Sequence, residues 1–213
     1  MIYLISDLHG ATADGLEEYV REYRDGDLLI ILGDVGLKFE NTEENRRFTE
    51  YFLSIDKPIA IVEGNHENHA YLNSFPEEEL WGGRVNRLTD TIVRLRRGEV
   101  FTINGKSFFV MGGCKSSAKW KEMGLWFDGE MPTSDEINKG YESLNRCGNR
   151  IDYILTHKYS PEMQSDDPMT LEALVRYIEE KVSFTHWYAG HWHKNRDYDE
   201  KHTVVYHSLT TLS

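Results

Sequence analysis

The feature that most restricts the fold is an alternation along the chain. Short runs rich in Ile, Leu and Val ("IYLIS" at 2–6, "LLIILGD" at 28–34, "IAIVEGN" at 59–65) are separated by polar segments with helical spacing, "DGLEEYVREY" at 14–23 and "TEENRRFTEYFLSI" at 42–55. A strand with one wet face alternates apolar and polar residues, so nearly continuous apolar strands divided by helices imply sheets covered on both faces. The pattern returns with "DYILTH" at 152–157, a helix over 170–182, "THWYAGH" at 185–191 and a closing strand "TVVYHSL" at 203–209. The expected fold class is α/β.

The middle of the chain has another character. "TIVRLRRGEVFTINGKSFFVMGG" at 91–113 reads as a β-meander, with Asn104-Gly105 marking a hairpin. Within it "RLRRGE" at 94–99 alternates, and the expectation is a solvated face. A loop-rich, aromatic insert follows at about 112–150, in which Ser134 opens a helix carrying Ile137, Tyr141 and Leu144 on one face. Trp120, Trp126 and Phe127 are expected to pack under this long loop. No repeat or linker divides the 213 residues, so a single domain over 1–213 is expected.

Each apolar run leads into residues that carry chemistry: Asp7 and His9, Asp34, Asn65 and His66, His157, then His191 and His193. In open α/β sheets ligands bind at the carboxyl ends of the strands, so these dispersed residues are expected to meet. Asp, His and Asn are nitrogen and oxygen donors suited to divalent metals. In an extended segment residues i and i+2 point to one side, which would bring Asp7 with His9 and His191 with His193 to a common face.

Charge limits the partners. The formal charge of −12, from 36 acids and 24 bases, argues against a surface that neutralises nucleic-acid phosphates. No stretch approaches the roughly 20 apolar residues of a membrane span, and the N-terminus lacks a basic leader. The expected location is cytoplasmic, with Cys114 and Cys147 as free thiols.

The order DxH, GDxxD, GNH(D/E), H and GHxH over residues 7 to 193 resembles the calcineurin-like metallophosphoesterase superfamily, and the insert is similar to that of its bacterial and phage-type members. The resemblance implies a layered α/β/β/α sandwich with the metal site at the C-terminal strand ends. It implies a first metal on Asp7, His9, Asp34 and His193, and a second on Asp34, Asn65, His157 and His191, Asp34 bridging. His66 would be a non-ligand catalytic residue that protonates the leaving group. Two divalent ions are the implied cofactors, manganese foremost, with iron, zinc, cobalt or nickel accepting the same donors. The implied reaction is hydrolysis of a small or exposed phosphomonoester or phosphodiester by a hydroxide bridging the metals.

Two departures narrow the reading. Leu37 stands where GDxxD ends in Asp, and Glu63 precedes Gly64 where Ser/Thr protein phosphatases carry an arginine. A catalytically idle phospho-ligand or partner-binding relative, a protein phosphatase and a nuclease of the same superfamily remain the alternatives. Lys115, Ser116 and Trp126 are candidate substrate contacts. His69, His186, His202 and His207 are read as ordinary surface or core groups, with His207 on the last strand standing apart.

Overall fold

A computed structural model describes residues 1–10, 13–22 and 27–212. The first sheet is built by β1 (Ile2–Ile5), β2 (Leu28–Leu32), β3 (Ile59–Val62), β4 (Glu77–Leu80), β5 (Gly83–Arg87) and β6 (Ile92–Leu95). The second contains β7 (Glu99–Ile103), β8 (Lys106–Met111), β9 (Arg150–Thr156), β10 (Ser183–Ala189), β11 (Arg196–Asp197) and β12 (His202–Val204). The last strand, β13 (Thr210–Leu212), returns to the first sheet. Their orders are β13-β1-β2-β3-β6-β5-β4 and β11-β12-β10-β9-β8-β7. β1, β2, β3 and β6 run parallel, as do β8, β9, β10 and β12.

The period-2 geometry of a strand sorts the apolar runs into layers. In β2, Leu28, Ile30 and Leu32 face Phe108, Val110, Tyr153 and Leu155 of the other sheet, forming one core between the sheets. Leu29 and Ile31 point the opposite way, packing on Leu16 of α1 (Ala13–Glu22) and on Phe48 and Phe52 of α2 (Glu43–Leu53). The second sheet turns Phe109, Met111, Ile154 and Trp187 toward Ile137 and Leu144 of α5 (Ser134–Arg146), and toward Leu174 and Ile178 of α6 (Leu171–Lys181). The result is the expected α/β/β/α sandwich. Of two short helices, α4 (Ala118–Glu122) borders the site described below through Trp120, while α3 (His69–Asn73) bonds Glu63 and Arg94 through His69 and Asn73. Among the described residues no helix is long and apolar enough to cross a membrane.

Several local expectations change. The 91–113 stretch is not one meander, because β6 belongs to the first sheet and β7 to the second, with the chain crossing at Gly98 (φ 75). The hairpin joins β7 to β8 as expected, with Asn104 (φ 51) and Gly105 (φ 76) at its tip. "RLRRGE" is not solvated: Arg94 is 1% and Arg97 5% exposed. Crossing between sheets carries them inside, where Glu63 lies 3.7 Å from Arg94 and 3.2 Å from Arg97. The predicted closing strand at 203–209 splits, its first part pairing with β10 and the chain then crossing to pair β13 with β1. The helix read from Ser134 is capped one residue earlier by Thr133, in a capping box with Glu136. Tyr23, the predicted end of the first helix, lies outside the described residues.

Candidate metal centre

β1, β2, β3, β9 and β10 end at neighbouring edges of the two sheets, and the loops that follow them carry Asp7 to His193 into one cluster. The loops are bonded to one another: Asp7 N–H donates to Gly33 O (3.0 Å), His9 N–H to Asp34 O (2.7 Å) and Gly190 N–H to His157 O (2.8 Å). Asp7 and His9 do not share a face by being extended, nor do His191 and His193. All four are left-handed, with φ of 62, 50, 72 and 48, and Asp34 adopts φ 55. Such conformations are costly for residues with a Cβ and persist where surrounding contacts impose them, most often at functional sites. Close approach also explains two glycines. A Cβ at Gly64 would run into the Asp34 carboxylate, and one at Gly190 into Ser6 and Asp7.

Three overlapping groups of donors result: Asp7, His9 and His193; Asp7, Asp34 and His157; and Cys114, His157 and His191. The atoms within each group lie within 4.8 Å of one another. His9 Nε2 and His193 Nε2 face each other at 2.8 Å. Asp34 sits centrally, 3.7 Å from His9 Nε2 through one oxygen and 3.4 Å from His157 Nε2 through the other. Its Oδ1 also accepts the His66 N–H at 2.7 Å. Asn65 places Oδ1 3.1 Å from His157 Nε2, while its Nδ2 donates to Ser116 Oγ at 2.9 Å.

The protonation pattern suits cations. Burial pushes His9 down to about 4 and His191 down to about 3, against the pull of Asp34, so both rings are neutral and offer lone pairs. Burial alone would raise Asp34, but the imidazoles of His157, His9 and His66 hold it well below the ordinary carboxylate range. Burial would also keep His157 neutral, yet Asp34 draws it well above its usual value; a cation would satisfy the same carboxylate. Nδ1 of His157 lies 2.7 Å from Leu32 O, an N–H donation that turns Nε2 toward the cluster. Oxygen and imidazole donors, central acids and oriented rings fit divalent metals.

His66 touches the cluster through its backbone and through its ring, which packs edge-on against His9 at 5.1 Å as well as against Trp120 at 4.4 Å and Phe39 at 5.1 Å. It lines an open cavity of about 600 Å³ together with Asp34, Asn65, Lys115, Ser116, Trp120, Lys158 and His193. Of the candidate contacts in the insert, Lys115 and Ser116 line this cavity; Trp126 does not, and lies under Lys121, 4.5 Å from its ring centroid.

Other residues support the cluster or pack near it, among them His207, which the sequence reading sets apart, and Glu67 and Tyr206, which it does not. Glu67, fully buried and pushed up to about 8 by burial and by Asp34, accepts the Val35 and Gly36 N–H groups and so fixes the loop behind Asp34. The His207 ring bonds Asp7 O at 2.9 Å, and Tyr206 stacks on His193 at 5.2 Å. His69 is buried against Glu63 at 3.0 Å, while His186 bonds Thr203 at 2.9 Å. The "GNHE" pattern signalled Glu67; nothing local in sequence signalled Tyr206.

Comparison with known proteins follows this geometry. The family model described as calcineurin-like phosphoesterase matches residues 1–195. A phosphopantetheinyl hydrolase of Mycobacterium tuberculosis, known from a crystal structure, is similar at 18% identity and a TM-score of 0.47, with 96% of this chain and 89% of that one covered. No curated protein matches the sequence.

Proposed function

The chain belongs to the calcineurin-like phosphoesterase family and is a metal-dependent phosphoric ester hydrolase; from that premise we propose a dinuclear site acting on small or exposed phosphoesters. The supporting observation is that Asp7, His9, Asp34, Asn65, His157, His191 and His193, from five loops, come together beside His66, which opens onto the cavity. Asp7, His9, Asp34 and His193 would hold one ion, and Asp34, Asn65, His157 and His191 the other, with manganese the first expectation. Bound divalent ions polarise phosphoryl oxygens and acidify water at neutral pH.

The protein's own groups supply the rest. His66 faces the cavity and, when protonated, delivers a proton to the departing oxygen; burial disfavours that charged form and Asp34 supports it. Lys115, Lys158 and the Ser116 hydroxyl lie around the same cavity and provide cationic and hydrogen-bonding partners for phosphate inside an acidic chain. Trp120 forms the wall against His66 and meets the leaving group. The acid excess, and Glu63 held by Arg94 and Arg97 in place of a substrate-facing arginine, favour small substrates over nucleic acid or phosphoprotein.

The test is a screen of phosphomonoesters, phosphodiesters and nucleotides on protein of measured metal content. Hydrolysis that is lost in Asp34→Asn is expected. A wild-type protein that holds its metals yet hydrolyses nothing in the panel would favour an idle, ligand-binding relative.

A further inference from the structure

Cys114, in "GGCKSS", reads from the sequence as a free thiol near the site with no evident partner. It follows Gly112 and Gly113 at the end of β8, the strand beside β9, so its loop opens at the edge that carries His157. Gly113 N–H donates to Glu63 O at 2.7 Å, and a Cβ at Gly112 would strike the Glu63 backbone. The loop is thereby pinned flat against the segment that presents Asn65. Cys114 ends up 2% exposed, its Sγ 2.9 Å from Asn65 Oδ1 and 3.4 Å from His191 Nδ1.

With His157 and His191 the sulfur completes one of the three donor groups, and those two imidazoles already belong to the second metal in the reading above. The hydroxyl of Ser116, two residues along the same loop, takes the Asn65 amide hydrogen and leaves Asn65 Oδ1 turned toward the sulfur. The loop thus orients one donor of this group and contributes another.

We propose that Cys114 is a ligand of the second metal, giving that position a thiolate beside Asp34, Asn65, His157 and His191. The proposal rests on the two-metal reading. On metal binding the S–H bond breaks, its electron pair becomes the metal–sulfur bond and its proton passes to solvent. A coordinating cation deprotonates a thiol that burial would otherwise keep neutral. The two positions are then unlike. Two carboxylates and two imidazoles suit manganese at the first, whereas sulfur and two imidazoles bias the second toward a softer ion such as zinc.

Cobalt(II) tests this without relying on turnover, because thiolate coordination gives an intense near-ultraviolet sulfur-to-cobalt charge-transfer band. Cys147, the other free cysteine, is exposed and is first replaced by Ser so that one thiol remains. Cobalt titrated into the metal-free Cys147→Ser protein should produce the band with one equivalent only. Adding Cys114→Ser should abolish the band, and zinc affinity at that position should fall by about 10-fold or more. Cys114→Ala, checked for folding by its thermal melt, should behave likewise. Two cobalt equivalents bound with no charge-transfer band would overturn the sulfur ligand while leaving the two-metal reading intact. Failure to bind a second equivalent would overturn both.

Discussion

Replacing Arg97 with Met removes the anchor of the insert while keeping most of the side chain's apolar stem. Arg97 is 5% exposed and lies 3.2 Å from the Glu63 carboxylate. Its guanidinium also donates to Gly129 O (2.9 Å), Met131 O (3.1 Å), Glu130 O (3.3 Å) and the Glu136 carboxylate (3.3 Å). In the variant Glu63 retains His69 at 3.0 Å and Arg94 at 3.7 Å. Breaking one side of a buried ion pair costs about 3–5 kcal/mol, because the remaining charge stays desolvated. The residual contacts of Glu63 offset part of this, and the three freed carbonyls add to it, which keeps the sum near about 4 kcal/mol. For a chain of this size that corresponds to a fall in Tm of roughly 8–16 °C. The assays are thermal melting and limited proteolysis at fixed metal content, with cleavage expected to rise between residues 114 and 133. Adding Glu63→Gln removes the stranded charge, so the double variant should be less destabilised than the sum of the two single variants. A fall below about 2 °C, with strictly additive single variants, would refute the idea that this buried pair holds the insert in place.

His66→Gln should lower turnover by about 10²–10⁴-fold, as loss of a general acid does, with metal content unchanged and a smaller loss on substrates with good leaving groups; metal loss would make His66 a ligand instead. Trp120→Ala should reorder the ranking of small phosphoesters, and Trp126→Ala, away from the cavity, should change it less. His202 is 2.8 Å from Asp199 and 3.0 Å from Glu179 and lies near Tyr159 and His186; burial favours its neutral form, but the two acids raise it above the usual 6.5. Its folded value exceeds its unfolded one, so its stabilisation is complete below about pH 6.5 and lost as pH rises through the folded value. Tm measured from pH 6 to 9 should therefore fall less in His202→Gln than in the wild type, and parallel curves would contradict the assignment.

The layers were legible because the central strands are apolar throughout: in β2 alternate residues of "LLIIL" fill two different cores, a pattern only a doubly covered sheet requires. The positions of Asp7, Asp34, Asn65, His157 and His191 were legible for the same reason, since each follows such a strand. How they meet was not. Left-handed φ at Asp7, His9, Asp34, His191 and His193 is imposed by bonds between loops distant in sequence, and local spacing carries no sign of it. The burial of Arg94 and Arg97 was hidden because alternation looks the same on a wet face and on a face closed by Glu63, some thirty residues away. β4 was missed because "EEEL" is exposed and acidic, with little strand propensity. The polar neighbours of Cys114, Asn65 and His191, come from other loops, so its sequence context carries no sign of them.

The most direct measurement is the metal stoichiometry of purified protein reconstituted with manganese or zinc and dialysed free of excess, determined together with phosphoesterase activity. Asp34 lies between both groups of imidazoles, so the wild type should retain two equivalents per chain, His193→Ala should retain one, and Asp34→Asn should lose affinity at both positions and lose activity. One equivalent at saturation, with full activity and with Asp34→Asn still active, would contradict the account.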